Sequence, residues 1–299
     1  MATNKKYSIR NLKADFPDDS LCLEFIFQTL HSKKCSCGGS YAPLFWVDDK
    51  GNLEGRRQYQ CSKCRYQIAP TAGTIFHKSD TPLTLWFHAL FVFSNAKSGI
   101  SAKEVQRHLG VTYKTAWRIL HRIRKALPTG GDFLSGDVEM DEAYFGGKGD
   151  GGKDNHNAKE VMRSKSVVIG AVARKGDVRA EVTKNAQAKT IGKFLDKHIN
   201  PVSSRLFTDD SNRYATVARG YSRYTVDHGR KEWVRGTVHI NTIESFWAHV
   251  KRSIKGTHKS VSKQHLQSYL DAFAWHRNHR DNDYERFVSL LGALLPVGE

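Results

Sequence analysis

The sequence lacks any stretch long or apolar enough to cross a bilayer. Its longest apolar run, near Leu83–Phe93, is interrupted by His88 and falls well short of the roughly 20 residues that a span needs. The opening residues, MATNKKYSIRNLKADF, carry charge but no apolar h-region, so no secretory signal is expected. Acids are scarce: 30 Asp plus Glu stand against 47 Lys plus Arg, a formal net charge of +17. There is no internal repeat, and no cysteine follows position 64. These absences point to a soluble protein of the cytoplasm or nucleus. At 39% hydrophobic residues over 299 positions, a buried core and about two domains are expected. Such an excess of positive charge repels itself in a compact state unless a polyanion neutralises it. Nucleic acid is therefore the expected partner.

The five cysteines are Cys22, Cys35, Cys37, Cys61 and Cys64. An odd count in a chain with no sign of secretion argues against a disulfide framework. Cys35-Ser-Cys37 and Cys61-Ser-Lys-Cys64 form two close pairs, and YAPLFWV and RRQYQC between them alternate like the strands of a hairpin. Two thiolate pairs joined by a hairpin close the tetrahedral coordination of a zinc ribbon. The first pair is one residue tighter than the usual CxxC, which leaves His31 as an alternative ligand. Cys22, in the apolar helical pattern LCLEFIFQTL, is expected to be a core thiol.

From about Leu83 to Leu127 the pattern is helical. An apolar helix is followed by SGISAKEVQRHLGVTYKTAWRILHRIRKAL. There Ser101 and Glu104 make a capping box, Gly110 ends one helix and Thr112 caps the next. The second helix carries Lys114, Arg118, Arg122, Arg124 and Lys125, as a helix-turn-helix entering a major groove would require. PTGGDF (128–133) reads as a linker.

Beyond it, VEMDEAYFGG, SVVIGAVAR and VRAEVTK read as three strands, the last two joined by a Lys-Gly-Asp turn. GKGDGGKDNHNAK (147–159) reads as a mobile loop. AKTIGKFLDKHI is an amphipathic helix, SRLFTDD and YTVDHG are strands, and NTIESFWAHVKRSIKG and HLQSYLDAFAWHRNHR are helices. That order gives an α/β domain with a mixed sheet, and it fits an RNase H-like topology. The expected division is 1–80 (N-terminal helix and zinc ribbon), 81–130 (helix-turn-helix) and 131–299 (catalytic domain).

Asp141 and Asp209 are placed at strand ends, and Glu244 lies in the first turn of a helix whose other face is Ile243, Phe246, Trp247 and Val250. Such positions project into the crevice at the edge of an α/β sheet. Three gathered carboxylates repel unless cations lie between them. Their hard oxygens select Mg²⁺ or Mn²⁺, and two such ions can clamp both oxygens of a phosphodiester exchange.

MDEAYFGGK, TDDSNRY and HINTIESFWAHVKRSIKGTHKSVSKQHLQSYLDAF, with CSKCRYQIAPTAGTIFHKS, LTLWFHALF and the helical block upstream, resemble insertion-sequence DDE transposases. The group resembled is the zinc-ribbon, ISXO-two-like one, related to the Merlin transposases, and the likeness runs from about Cys22 to Asn278. It implies that Asp141 is the first acid. Asp209 is the second, rather than Asp210, because Tyr214 follows as in the family's TD-x4-Y block. Glu244 is the third acid, or Asn241 where members use Asn. Lys251 matches the family's basic residue near the DNA backbone. The resemblance further implies two divalent ions per site, a structural zinc, and ends read by the ribbon and helix-turn-helix. It also implies at least a dimer on DNA and a bacterial, nucleoid-associated protein. Trp247, His249, Lys251 and Arg252 are expected to follow the DNA strand. Two rivals remain: a zinc-ribbon/helix-turn-helix regulator without chemistry, and a non-transposase RNase H-fold nuclease.

Overall fold

The computed structural model describes residues 7–49, 53–128, 130–146, 165–227, 234–280 and 283–293. The loop expected at 147–159 lies outside the described residues. The chain divides into two compact units. One comprises Met1–Ala96, Ile100–Leu127 and His279–Glu299; the other comprises Lys97–Gly99 and Pro128–Asn278. Among the described residues, no helix is long and apolar enough to cross a membrane.

The first unit holds helices α1 (Ile9–Asp15) and α2 (Asp19–Leu30), then a three-stranded sheet of β1 (Tyr41–Val47), β2 (Leu53–Cys61) and β3 (Gln67–Ile68). Helices α3 (Leu83–Asn95), α4 (Ala102–Leu109) and α5 (Tyr113–Ala126) follow. Phe27 of α2 stacks on Tyr59 of β2 with centroids 4.0 Å apart, which docks the hairpin on the helices. Cys22 is fully buried, as expected. The capping signals work as read: Ser101 and Glu104 exchange bonds, Gly110 takes a left-handed φ of 66°, and the Thr112 side chain accepts from the Thr115 amide. The last described helix, Asp283–Ala293, belongs to this unit, although the sequence groups it with 131–299. Its Phe287 packs against Tyr7 and against Phe91 of α3.

The second unit is built on a five-stranded mixed sheet. Its strands are β4 (Leu134–Phe145), β5 (Ser166–Ala173), β6 (Val178–Thr183), β7 (Ile199–Asp209) and β8 (Ser222–Val226), in the spatial order β6-β5-β4-β7-β8. Pairs β4–β5 and β5–β6 are antiparallel, and pairs β4–β7 and β7–β8 are parallel. Helices α6 (Ala188–His198) and α7 (Asn212–Val217) cover one face, where Ile191, Phe194, Leu195 and Tyr214 meet Val138, Met140 and Leu206. Helices α8 (Asn241–Ser253) and α9 (Lys263–Asn278) cover the other, where Phe246, Trp247 and Leu270 meet Ala143, Phe145, Val168 and Phe207. Helix α8 is shorter than its sequence pattern and runs into one turn of π-helix, Ile254–His258. Helix α10 (Asp283–Ala293) belongs to the first unit.

Period-2 alternation fixes which face each β4 side chain serves. Val138 and Met140 point to α6 and α7; Ala143 and Phe145 point to α8 and α9. Glu139 and Asp141, at odd positions, share the α8 face. The outer edge of β6 is sealed by side-chain amides of α9. Gln267 exchanges bonds with Val182 N–H and Ala180 C=O, and Asn278 with both backbone groups of Val178. An edge so covered cannot template another strand.

Candidate active site

Asp141 lies within β4, four residues before its end, rather than at the strand terminus expected from sequence. Asp209 is the last residue of β7. The parallel ladder pairs Glu139 with Phe207, so Asp141 and Asp209 stand level one step further on, both on the α8 face. Asp209 is half-buried and its carboxylate accepts from the Ser211 amide; Asp210 lies outside the strand and is exposed. Glu244 occupies the first turn of α8.

These groups feel one another. Burial pushes the Asp141 carboxyl up to about 7, and the charges of Glu142, Asp209 and Glu244 add to the rise against the pull of the Glu142 amide. Among the described residues, no ion pair joins Asp141, Asp209 or Glu244 to a cation within 4.0 Å. Nor do the three carboxylates already converge on a point as the four cysteines do. The donor set of hard oxygens, in a bay where like charges raise a buried acid, fits divalent cations. Tyr214, beneath them on the opposite face, is fully buried and held well above its ordinary pKa by burial and by Glu142, Asp141 and Asp209.

Around the acids, Asn241 opens α8 and is exposed, one helical turn before Glu244. Lys251 is exposed in the last turn, with Nζ 5.9 Å from the centroid of the Phe145 ring, and Arg252 beside it is exposed too. Trp247 does not line a DNA path. It is 4% exposed and fills the space left by Gly170 on β5, because a side chain at 170 would strike its ring. His249 is half-buried with Nε2 3.2 Å from the Lys97 carbonyl.

Two acids of β4 escaped the sequence reading. Glu142 turns to the α7 face, 4.0 Å from Arg213, and burial raises its pKa while Arg213 opposes the rise. Glu139 is completely buried. Its carboxylate accepts from the Thr242 and Ile243 amides at 2.7 and 3.0 Å, from the Thr242 hydroxyl at 2.9 Å and from Arg174 Nε at 2.8 Å. In sequence, VEMD shows only acids at every second position, the pattern of a half-exposed strand; helices covering both faces of the sheet bury it.

In the first unit, the four Sγ atoms of Cys35, Cys37, Cys61 and Cys64 lie within 4.8 Å of one another, with Cys35–Cys64 at 3.6 Å and Cys37–Cys61 at 3.4 Å. A tetrahedron with Zn–S bonds of about 2.3 Å has sulfur–sulfur edges of roughly 3.8 Å, so the cluster fits a structural zinc. The tight CxC suffices because Gly38 takes a φ of +78° and because Gly39 has no Cβ, which would sit 2.6 Å from Cys61 Sγ. Bonds from the Tyr41 hydroxyl and the Cys37 amide lower the Cys35 thiol to about 6. His31 caps α2 beside Phe27 and is not part of the cluster.

Of the basic residues on α5, Lys114 is exposed. Arg118 donates to the Thr81 hydroxyl at 3.1 Å, and Arg122 donates to the Ile75 and His77 carbonyls at 2.9 Å each. Both guanidinium groups therefore brace the segment that leads from the hairpin to α3.

Residues 133–278, which contain Asp141, Asp209, Asn241, Glu244 and Lys251, match the family model of the ISXO2-like transposase domain. An uncharacterized protein in transposable element ISH50 of Halobacterium salinarum is 28% identical over 239 residues, covering 76% of this chain and 80% of that protein. A chain in the cryo-EM structure of the simian T-cell lymphotropic virus intasome in complex with PP2A regulatory subunit B56 gamma is 14% identical, with coverage of 67% and 72% and a TM-score of 0.32. That last likeness is too distant to define a fold. The likeness to the ISXO2-like transposase domain thus rests on residues 133–278, just under half of the chain.

Proposed function

We propose that the chain is the transposase of an insertion element: it binds the terminal inverted repeats, cleaves at the ends and joins the freed 3′-hydroxyls to target DNA. The family of residues 133–278 supports polynucleotidyl transfer on DNA with divalent metal. The observation that carries the finer reading is the level placement of Asp141 and Asp209 facing the helix that bears Glu244, with both neighbouring charges acting on Asp141.

On this reading the second unit is an RNase H-like catalytic domain, which the strand order and directions support. Asp141, Asp209 and Glu244 would hold two Mg²⁺ or Mn²⁺ ions, with Asn241 at their side. Bound there, the ions would activate the attacking oxygen and stabilise the leaving one. The two strand acids supply a fixed edge of the site, and α8 brings the third. Lys251 and Arg252 neutralise phosphates as the DNA passes the end of α8. Attack by water, and then by the freed 3′-hydroxyl, needs no covalent link to the protein. In the first unit, α4, the Gly110 turn and α5 act as a helix-turn-helix with Lys114 facing DNA, and the zinc-bound hairpin adds contacts. Joining two ends takes two active sites, so the working form is at least a dimer, acting on the nucleoid of a bacterial cytoplasm.

The test combines purified protein, a labelled duplex carrying the element's end, a target plasmid and Mg²⁺. Joined products should form, vanish with EDTA, and vanish in Asp141→Asn while that variant still binds the end. Light scattering of the paired complex should give at least two protomers. Binding without cleavage would support a regulator instead, and hydrolysis without joining would support a simple nuclease.

A further inference from the structure

We infer that Glu139 is a positioning residue for this site: from the sheet, its buried carboxylate caps the first turn of α8 and so sets where Glu244 stands. The inference rests on the proposed reading of Asp141, Asp209 and Glu244 as the metal-holding acids.

Helix α8 begins at Asn241 after Ile240, and among the described residues no local side chain caps it. Thr242 and Ile243 supply its second and third amides, the two that an N-cap side chain ordinarily satisfies. Both instead donate to one oxygen of Glu139, a residue of the central strand. The other oxygen takes the Thr242 hydroxyl and Arg174 Nε, with His239 Nδ1 at 3.3 Å. Arg174 is fixed in turn: it donates to the His239 carbonyl at 2.9 Å and lies 4.1 Å from the centroid of the Phe207 ring. The acceptor capacity of Glu139 is thus filled from both sides of the α8 entry. A negative charge at that point also favours the positive end of the helix.

The geometry makes this more than a stabilising contact. Glu139 and Asp141 are two residues apart on one strand face. Ile243, which the carboxylate grips, immediately precedes Glu244. One rigid side chain therefore ties the third acid to the strand that carries the first. Two amide bonds to a single oxygen restrain both the height of the helix and its rotation, whereas apolar packing alone leaves a helix free to slide. A general need for stability would not call for a buried carboxylate, since ion pairs of this kind are often replaceable by apolar groups without loss.

The experiment uses full-length Glu139→Gln and Thr242→Val. Mn²⁺ binding is measured by electron paramagnetic resonance without turnover, alongside single-turnover cleavage of the labelled end, end binding by mobility shift, and melting. Glu139→Gln should bind the end as wild type does, hold Mn²⁺ on the order of tenfold more weakly and cleave roughly 100-fold more slowly. Thr242→Val, which keeps the charge and both amide bonds, should lose roughly three- to tenfold in cleavage, as for one hydrogen bond. A folded Glu139→Gln with wild-type Mn²⁺ affinity and rate overturns the inference. Should that variant not fold, wild-type Mn²⁺ affinity and rate in Thr242→Val overturn it instead. Absence of metal-dependent cleavage in the wild type, or undiminished cleavage by Asp141→Asn, refutes the underlying reading whatever Glu139 does.

Discussion

Gly170 is the cross-strand partner of Asp141, and replacing it by alanine should disable the site without touching an acid. A Cβ built at 170 falls 2.4 and 2.6 Å from two carbons of the Trp247 ring and 3.3 Å from the Arg179 carbonyl. Carbon atoms in contact sit about 3.5–4.0 Å apart, so the ring must retreat by roughly 1 Å. It has nowhere to turn, because it is buried between Phe145 and Phe246 at centroid distances of 6.0 and 5.1 Å. The retreat must therefore lift α8, and Glu244 lies one turn away on that helix. Overpacking of this kind costs about 1–3 kcal/mol, and a displacement of about 1 Å at a reacting group costs on the order of 100-fold in rate. Gly170→Ala should show both, in melting and in single-turnover cleavage of the labelled end. Trp247→Leu removes the colliding carbons, so the double variant should be less impaired than the two single losses added together. Wild-type melting and cleavage in Gly170→Ala, or strict additivity in the double variant, would refute the reasoning.

Four other outcomes follow from the structure. Purified protein should carry one zinc per chain by elemental analysis, and Cys61→Ser or chelation should abolish that zinc and lower melting of the first unit, since structural zinc contributes directly to folding. Asp271 is raised from 3.8 to about 6, first by burial and then by Glu181, against the donor of Gln267. Its folded pKa exceeds its unfolded one, so it costs stability progressively as pH rises from about 4 through 6. Asp271→Asn should therefore gain up to about 3 kcal/mol at pH 7 in denaturant unfolding, and the gain should shrink to roughly 0.5 kcal/mol at pH 4. Finally, Lys114→Ala should weaken end binding by about tenfold with unchanged melting. Arg122→Ala should destabilise by about 1–3 kcal/mol through the Ile75 and His77 carbonyls it leaves unpaired.

What was legible in the sequence was local. The Ser101–Glu104 box, Gly110 and Thr112 act within one or two helical turns, so their residues alone specify them. The cysteine pairs were legible for the same reason. Strand limits were not: β7 begins at Ile199, well before the SRLFTDD that reads as a strand, because Leu134 at the start of β4 pairs with Ile199 across the sheet. Such a ladder depends on residues far away in sequence. Trp247 reads equally as a core residue or as a platform for DNA bases. Only the missing Cβ of Gly170 decides between them. Arg118 and Arg122 read as DNA contacts because their acceptors, in the 75–81 segment, are more than 30 residues away. Glu139 looks like the solvent side of an alternating strand until α8 is seen to cover that side.

These misses share a cause with the design of the proposed site. Asp141 and Asp209 are held by a ladder of backbone bonds, whose spacing is fixed by the polypeptide itself. Glu244 has no such ladder; its place is only as accurate as the docking of α8. Beside the apolar packing of Phe246 and Val250, two devices fix that docking, and each relies on a strand residue far from Glu244 in sequence. Glu139 binds the first turn from below, and the indole of Trp247 seats in the gap at Gly170 one turn further on. With two anchors along its axis, the helix is restrained against both sliding and tilting. Variants at 139 and 170 should therefore share a phenotype, weakened metal holding with intact DNA binding, although the two residues lie on different strands and use opposite means, a charge supplied and a side chain withheld.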